Sequence, residues 1–165
     1  MLVTEMIRRG ALYHADRTAL LFGDDRLSFA EVESLSNRIA HGLIADPRLE
    51  RGAPIAMLVD NDLWSTPCSF ALIKAGLVRV ALNSRLSLDE QRRMIEAIGA
   101  STLIHGATQI ERAAALRDAV PGLRLLGLGS DALGPDLLAL AADADDADPA
   151  LAHEPDEVIV ALFTS

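Results

Sequence analysis

The sequence predicts an α/β domain whose sheet is largely parallel and flanked by helices. Two observations carry that prediction. From residue 54 onward, short apolar runs of the buried-strand type alternate with amphipathic stretches of 10–15 residues, the pattern of successive strand–helix units. Each helical stretch also carries its own start or stop signal, such as Ser-x-x-Glu, glycine or proline. Half of the 165 residues are apolar and only 4% are aromatic, which describes an aliphatic core in a globular chain and excludes the disordered class. A domain of this size buries roughly 70% of its unfolded surface.

Residues 2–13 place Leu2, Val3, Met6, Ile7 and Leu12 at near-helical spacing, so an amphipathic helix opens the chain. "TALLFGDDRLSF" then reads as two short strands around a Gly-Asp-Asp turn, a hairpin. Ser28 and Glu31 form a capping box, and Val32, Leu35, Ile39 and Leu43 follow on one face of a helix that ends before Asp46-Pro47. These elements make up a first region, residues 1–50. The second, 51–165, holds the alternating part.

There, "PIAMLV" (54–59) is a buried strand. Asp60 or Asn61 caps a helix running to Lys74-Ala75, with Gly76 ending it and Pro67 either kinking it or marking a later start. "LVRVAL" (77–82) is the next strand. Ser87 and Glu90 repeat the capping box for a helix that Gly99 ends. "STLIHG" (101–106) is a strand, 108–119 a helix stopped by Pro121-Gly122, and "LRLLGL" (123–128) a strand. A short helix covers about 135–141, an acidic loop follows, and "EVIVALF" (157–163) is the last strand.

Several function classes are disfavoured. The formal net charge of −9 and the absence of a Lys/Arg-rich run argue against nucleic acid and anionic membrane surfaces. No apolar run approaches the ~20 residues of a membrane span, and Glu5, Arg8 and Arg9 interrupt any signal peptide, so a cytoplasmic location is expected. Cys68 is the sole cysteine and sits in an apolar helical stretch, as a small buried hydrophobe does. Seven acids crowd residues 143–157. They read as a solvated surface loop, and the Asp-x-Asp-x-Asp-Gly spacing of a calcium loop is missing. His14, His41, His105 and His153 show no metal-ligand spacing. "GLGSDALG" (127–134) follows a strand, but its glycines do not fit a phosphate fingerprint, so it reads as a plain turn rather than a phosphate loop. No residue is assigned a catalytic or metal-binding role.

Four stretches in fixed order carry a resemblance: "LSFAEVESLSNRIAHGL" (27–43), "RGAPIAMLVDN" (51–61), "IKAGLVRVALNSRLSLDEQRRMIEAIGAS" (73–101) and "DEVIVALFTS" (156–165). Together they resemble the first third of an AMP-forming acyl-CoA synthetase, in the adenylate-forming superfamily. The resemblance implies the N-terminal part of that fold. It also implies ATP, Mg²⁺ and CoA as cofactors of a full-length enzyme that joins a carboxylic acid to CoA through an acyl-adenylate. In the family, the strand ending in Thr-Ser runs into a Gly/Ser/Thr-rich phosphate loop. Thr164 and Ser165 match its first residues, so they would sit by the ATP phosphates, where hydroxyls and backbone N–H groups donate to a polyanion. Arg85 matches the arginine of "LN-x-RL". That residue is either near the nucleotide end of CoA, where a guanidinium suits a phosphate, or a structural tie between loop and sheet. Asn83 is a turn residue and Lys74 belongs to the end of the "KAG" helix. "VALN" stands where many relatives have "VPLN", which leaves the substrate subfamily open.

The expectation is therefore a truncated ligase, inactive by itself, with no ligand bound. Apolar surface left uncovered would drive self-association, as a homodimer or through an exchanged N-terminal element. Two rival readings remain: a non-catalytic α/β interaction module, and a luciferase-like or peptide-synthetase adenylation domain with an acceptor other than CoA.

Overall fold

The computed structural model describes residues 3–163. The chain opens with helix α1 (Val3–His14), followed by strands β1 (Thr18–Phe22) and β2 (Asp25–Ser28), paired antiparallel around Gly23-Asp24. Helix α2 (Phe29–Ile44) starts at the expected capping box: the Ser28 hydroxyl accepts from Glu31 N–H, and the Glu31 carboxylate accepts from Ser28 N–H at 2.7 Å. That backbone donor, followed by the Ser28 hydroxyl, holds the Glu31 carboxyl below the usual range.

The alternating region gives β3 (Pro54–Leu58), α3 (Ser65–Lys74), β4 (Val78–Ala81), α4 (Leu88–Ile98), β5 (Thr102–Gly106), α5 (Ile110–Ala119), β6 (Arg124–Leu128), α6 (Leu137–Ala141) and β7 (Val160–Ala161). Among the described residues, five strands form one parallel sheet in the order β6-β5-β3-β4-β7. Parallel strands need crossovers, and here the crossovers cover both faces. One face packs Ile55, Met57, Ile104, Leu126 and Leu128 against α2, α3 and α6. The other packs Ala56, Leu58, Leu103 and Leu125 against α4 and α5 through Ile95, Ala113 and Leu116. α1 lies against α2. Cys68 is fully buried in the first cluster, and burial pushes its thiol up to about 12, as a structural cysteine requires.

The structure corrects three local expectations. α3 starts at Ser65, and neither Asp60 nor Asn61 caps it. The Asp62 carboxylate accepts from the N–H groups of Trp64 and Ser65 at 2.8 and 2.7 Å, and Pro67 falls in the first turn, where no intrahelical donor is needed. The stretch expected as one helix over 108–119 begins as a 3₁₀ turn, Ala107–Gln109. Among the described residues the last strand covers Val160–Ala161 and pairs with β4, and its approach, Glu157, is turned toward Arg51 and His153. The acidic stretch is the exposed loop the sequence predicts, and it is also fastened to the molecule. It is a strap whose backbone carbonyls are held by α2: Ala142 by Arg38, Asp146 by Asn37 and Ala147 by His41.

"GLGSDALG" folds on itself as a turn. A Cβ on Gly127 would overlap the Ser130 carbonyl and one on Gly134 the Leu125 carbonyl, while Asp136 accepts from the N–H groups of Gly129 and Leu138. The N–H groups of Gly127, Gly129 and Ala132 are taken up within the turn itself, as in a plain turn.

Lys74 is 2% exposed. Its three ammonium protons are met by Glu33 Oε2 at 2.7 Å, Ser36 Oγ at 2.9 Å and Asn37 Oδ1 at 2.5 Å, all on α2. Burial presses the ammonium toward its neutral form and lowers its pKa. The hydrogen bond and charge of Glu33 oppose that shift. Lysine 74 thus serves α2–α3 packing more than the helix dipole.

No described helix is long and apolar enough to cross a membrane. Met6, Leu12, Tyr13, Leu21 and Phe22 stand exposed on α1 and the hairpin, as do Val158 and Leu162 around β7.

Breaking one partner of a buried pair strands the other. Lys74→Met is expected to destabilise the fold by about 3 kcal/mol, and adding Glu33→Gln should recover part of the loss by removing the stranded charge. Urea unfolding of both variants checks this, and an unchanged midpoint in Lys74→Met contradicts it.

Candidate functional site

In an open parallel sheet, ligands collect outside the carboxyl ends of the strands, near the point where the connections reverse direction. Here β4 lies on one side of β3, and β5 and β6 on the other, so the reversal falls between β3 and β5. Asp60, just beyond β3, occupies that point. Its carboxylate accepts from the Thr108 hydroxyl at 2.6 Å and the Gln109 amide at 2.7 Å, which ties the loop after β3 to the turn after β5. These two donors, first Thr108 and then Gln109, with Ser84 adding to them, hold the carboxyl below the usual range. The result is a fixed anion bridging three loops at the sheet's edge.

The loop after β4 carries Asn83 and Arg85. Asn83 behaves as the sequence predicts: its side chain accepts from Arg85 N–H at 2.9 Å, closing a turn. The carbonyl of Asn83 accepts from the buried Gln91 amide at 2.8 Å, which seats the loop on α4. Arg85 is exposed, and among the described residues its side chain makes no hydrogen bond or ion pair. The bonds that hold this loop come from Asn83 and Gln91. The guanidinium projects from a loop held in shape by others, a geometry suited to meeting an external anion.

The same edge continues to β7. A cleft of about 500 Å³ lies between the end of β4, the start of α4 and the exit of β7. It is lined by Asn83, Leu86, Glu90, Arg93, Met94 and Phe163, among others. Its lining mixes apolar side chains with the charged Glu90 and Arg93. The chain leaves β7 through Leu162 and Phe163 beside this cleft. Thr164 and Ser165, the two residues expected to begin a phosphate loop, lie outside the described residues, while Arg85 sits in the loop that borders the same opening.

His105, fully buried on β5, has Nδ1 3.2 Å from the Gly106 carbonyl and leaves Nε2 without a protein partner. Among the described residues no three His, Cys, Asp or Glu side chains converge to hold a metal ion. The sequence reading missed the Asp60–Thr108–Gln109 bridge. Its residues come from segments 48 positions apart that the strand order alone brings together. The available signal was an aspartate directly after a buried strand, which reads equally well as a helix cap.

Comparison with known proteins identifies the architecture. Residues 7–165 match the family model described as AMP-binding enzyme. Over 111 residues the chain is 27% identical to the medium/long-chain-fatty-acid–CoA/3-oxocholest-4-en-26-oate–CoA ligase of Mycobacterium marinum, a match covering 67% of this chain and 20% of that protein. Over 161 residues it is 28% identical to phosphinothricin tripeptide synthetase PhsC of Streptomyces viridochromogenes, covering 97% of this chain and 14% of that protein. The N-terminal domain of FACL13 from Mycobacterium tuberculosis superposes with a TM-score of 0.85 at 25% identity, covering 98% of this chain and 41% of that one. The chain thus spans about a fifth of the length of the M. marinum relative. A parallel sheet with this edge, matched along nearly all of its length, places the chain in the AMP-binding enzyme family of adenylate-forming ligases, which includes fatty-acyl-CoA ligases.

Proposed function

We propose that this chain forms the amino-terminal sheet of an ATP-dependent carboxylate–CoA ligase and contributes one wall of its nucleotide site. The observation that supports this reading best is the cleft at the carboxyl edge of the sheet. It gathers the Arg85 loop and the exit of β7 toward Thr164 and Ser165. In the reaction, a carboxylate oxygen attacks the α-phosphorus of ATP and the bond to the β-phosphate oxygen breaks, giving an acyl-adenylate and pyrophosphate. The CoA thiol then attacks the acyl carbon, loses its proton and expels AMP. Thr164 and Ser165 would donate hydroxyl and backbone hydrogen bonds to the phosphates, and Arg85 would meet a phosphate of CoA. Mg²⁺ would accompany ATP and neutralise developing phosphate charge. The described residues offer it no ligand set, so the reading assigns it no residue there.

A second reading is favoured by one finding. The match to the peptide synthetase PhsC extends over 97% of this chain, and an adenylation domain of that kind would hand its adenylate to an acceptor other than CoA. Product analysis with and without CoA separates the two.

Three outcomes test the proposal. The 165-residue chain alone is expected to show no carboxylate-dependent ATP–pyrophosphate exchange, and measurable exchange contradicts that. In the product of the natural gene, Arg85→Ala should raise the KM for CoA about tenfold, the scale of one charge-assisted hydrogen bond, and leave the exchange reaction untouched. Unaltered CoA kinetics remove Arg85 from that role. The exposed apolar residues of α1 and the hairpin should drive self-association of the 165-residue chain. Light scattering at high concentration checks this, with a persistent monomer as the contrary result.

A further inference from the structure

The connection from β6 to β7 has to cross the whole sheet, because these two strands are its opposite edges. The strap that makes the crossing, residues 142–157, has little regular structure of its own. Its course is set by side chains of other elements that reach its backbone. Arg38 donates to the Ala142 carbonyl at 2.9 Å, Asn37 to the Asp146 carbonyl at 2.8 Å, and His41 Nε2 lies 3.0 Å from the Ala147 carbonyl. Lower down, Arg51 donates to the Ala152 carbonyl at 2.6 Å and to Glu157, which also meets His153 at 2.8 Å. Two residues after Glu157 the Ile159 carbonyl accepts from Arg79 N–H, and β7 has begun.

Asn37 differs from the other anchors. It is 3% exposed, and both ends of its amide are used. The oxygen accepts from the buried Lys74 ammonium, and the nitrogen donates to the strap. A neutral amide in contact with a buried ammonium has only one sensible orientation, oxygen toward the charge, so the N–H₂ must point outward at the Asp146 carbonyl. Lys74 thereby sets the direction of the donor that sets the strap.

We propose that Asn37 is a positioning residue for the nucleotide loop: oriented from within by Lys74, it registers the 142–157 strap on α2 and so fixes where β7 docks on β4. β7 needs this help. Among the described residues it pairs with β4 over Arg79–Val160 and Val80–Ala161, and a two-residue edge strand has little pairing energy of its own. The inference rests on the ligase reading only for what β7 carries beyond Phe163.

Amide hydrogen exchange on the 165-residue chain tests the clasp without any nucleotide. Asn37→Asp keeps an acceptor for Lys74 and removes the donor to the strap. It is expected to speed exchange about tenfold at 144–148 and at the Arg79 amide, while β3 and β5 stay at wild-type rates. The double variant R38A/H41A removes two half-exposed anchors without touching the buried charge. It should loosen the same amides, and it decides the matter if Asn37→Asp does not fold. An Arg79 amide that exchanges at the wild-type rate despite a loosened strap overturns the proposal. So does equal acceleration in β3 and β5, the signature of a merely structural role. In the natural gene product, N37D should then raise the KM for ATP about tenfold with the carboxylate KM unchanged, and a fall in kcat alone overturns the link to the nucleotide loop. A gene product with no ATP-dependent activity would sink the ligase reading and leave the clasp, measured by exchange, intact.

Discussion

Parallel pairing at both edges of one sheet is the constraint that organises this molecule. Strands β6 and β7 follow one another in sequence, yet β7 pairs with β4 on the far side of β3. A parallel partner cannot be reached by a tight turn, so residues 129–159 must travel to the opposite edge of the sheet and back to the amino ends of its strands. That long passage explains why the acidic stretch is fastened at so many points. It also explains why α2, which belongs to neither edge, carries so much of the polar bonding. Its inner side joins the core through Ile39, Ala40 and Leu43, and its outer side holds the strap through Asn37, Arg38 and His41.

The buried lysine follows from the same geometry. α2 and α3 pack side by side over the sheet, and an ammonium between them would be costly without compensation, since several kcal/mol of hydration are lost per buried ion. Three acceptors on one helix, one of them a carboxylate, supply it. Because those acceptors recur along one face of α2, the contact specifies the register of the two helices as well as satisfying the charge. An apolar contact there would pack with less directional preference.

At the carboxyl edge of the sheet, polar side chains hold loops in shape and leave charges facing outward. Asp60 bridges the loops after β3 and β5, and Asn83 with Gln91 sets the loop that presents Arg85. Asp60 and Asn83 spend their side-chain acceptors on neighbouring loops, while the Arg85 guanidinium stands exposed. The acidic strap, by contrast, lies against the α2 side of the molecule, where its charges meet Arg8, Arg38 and Arg51.

The amino-acid order by itself determined what depends on near neighbours. Ser28 and Glu31, or Ser87 and Glu90, close a capping box within three residues, and those two helices start where the sequence predicts. The aliphatic runs of β3, β5 and β6 are buried on both faces, so their composition alone marked them as buried strands of a parallel sheet. The family resemblance rested on the same local runs. The tertiary structure alone decided whatever joins distant segments: the strand order, the switch-point bridge of Asp60 with Thr108, the clasp of Asn37 on the strap, and the shortness of β7. The physical reason is that a polar side chain carries no mark of its partner. An aspartate after a strand can cap the next helix or bond a threonine 48 residues away, and only the packed sheet, by setting which loops are neighbours, selects between them.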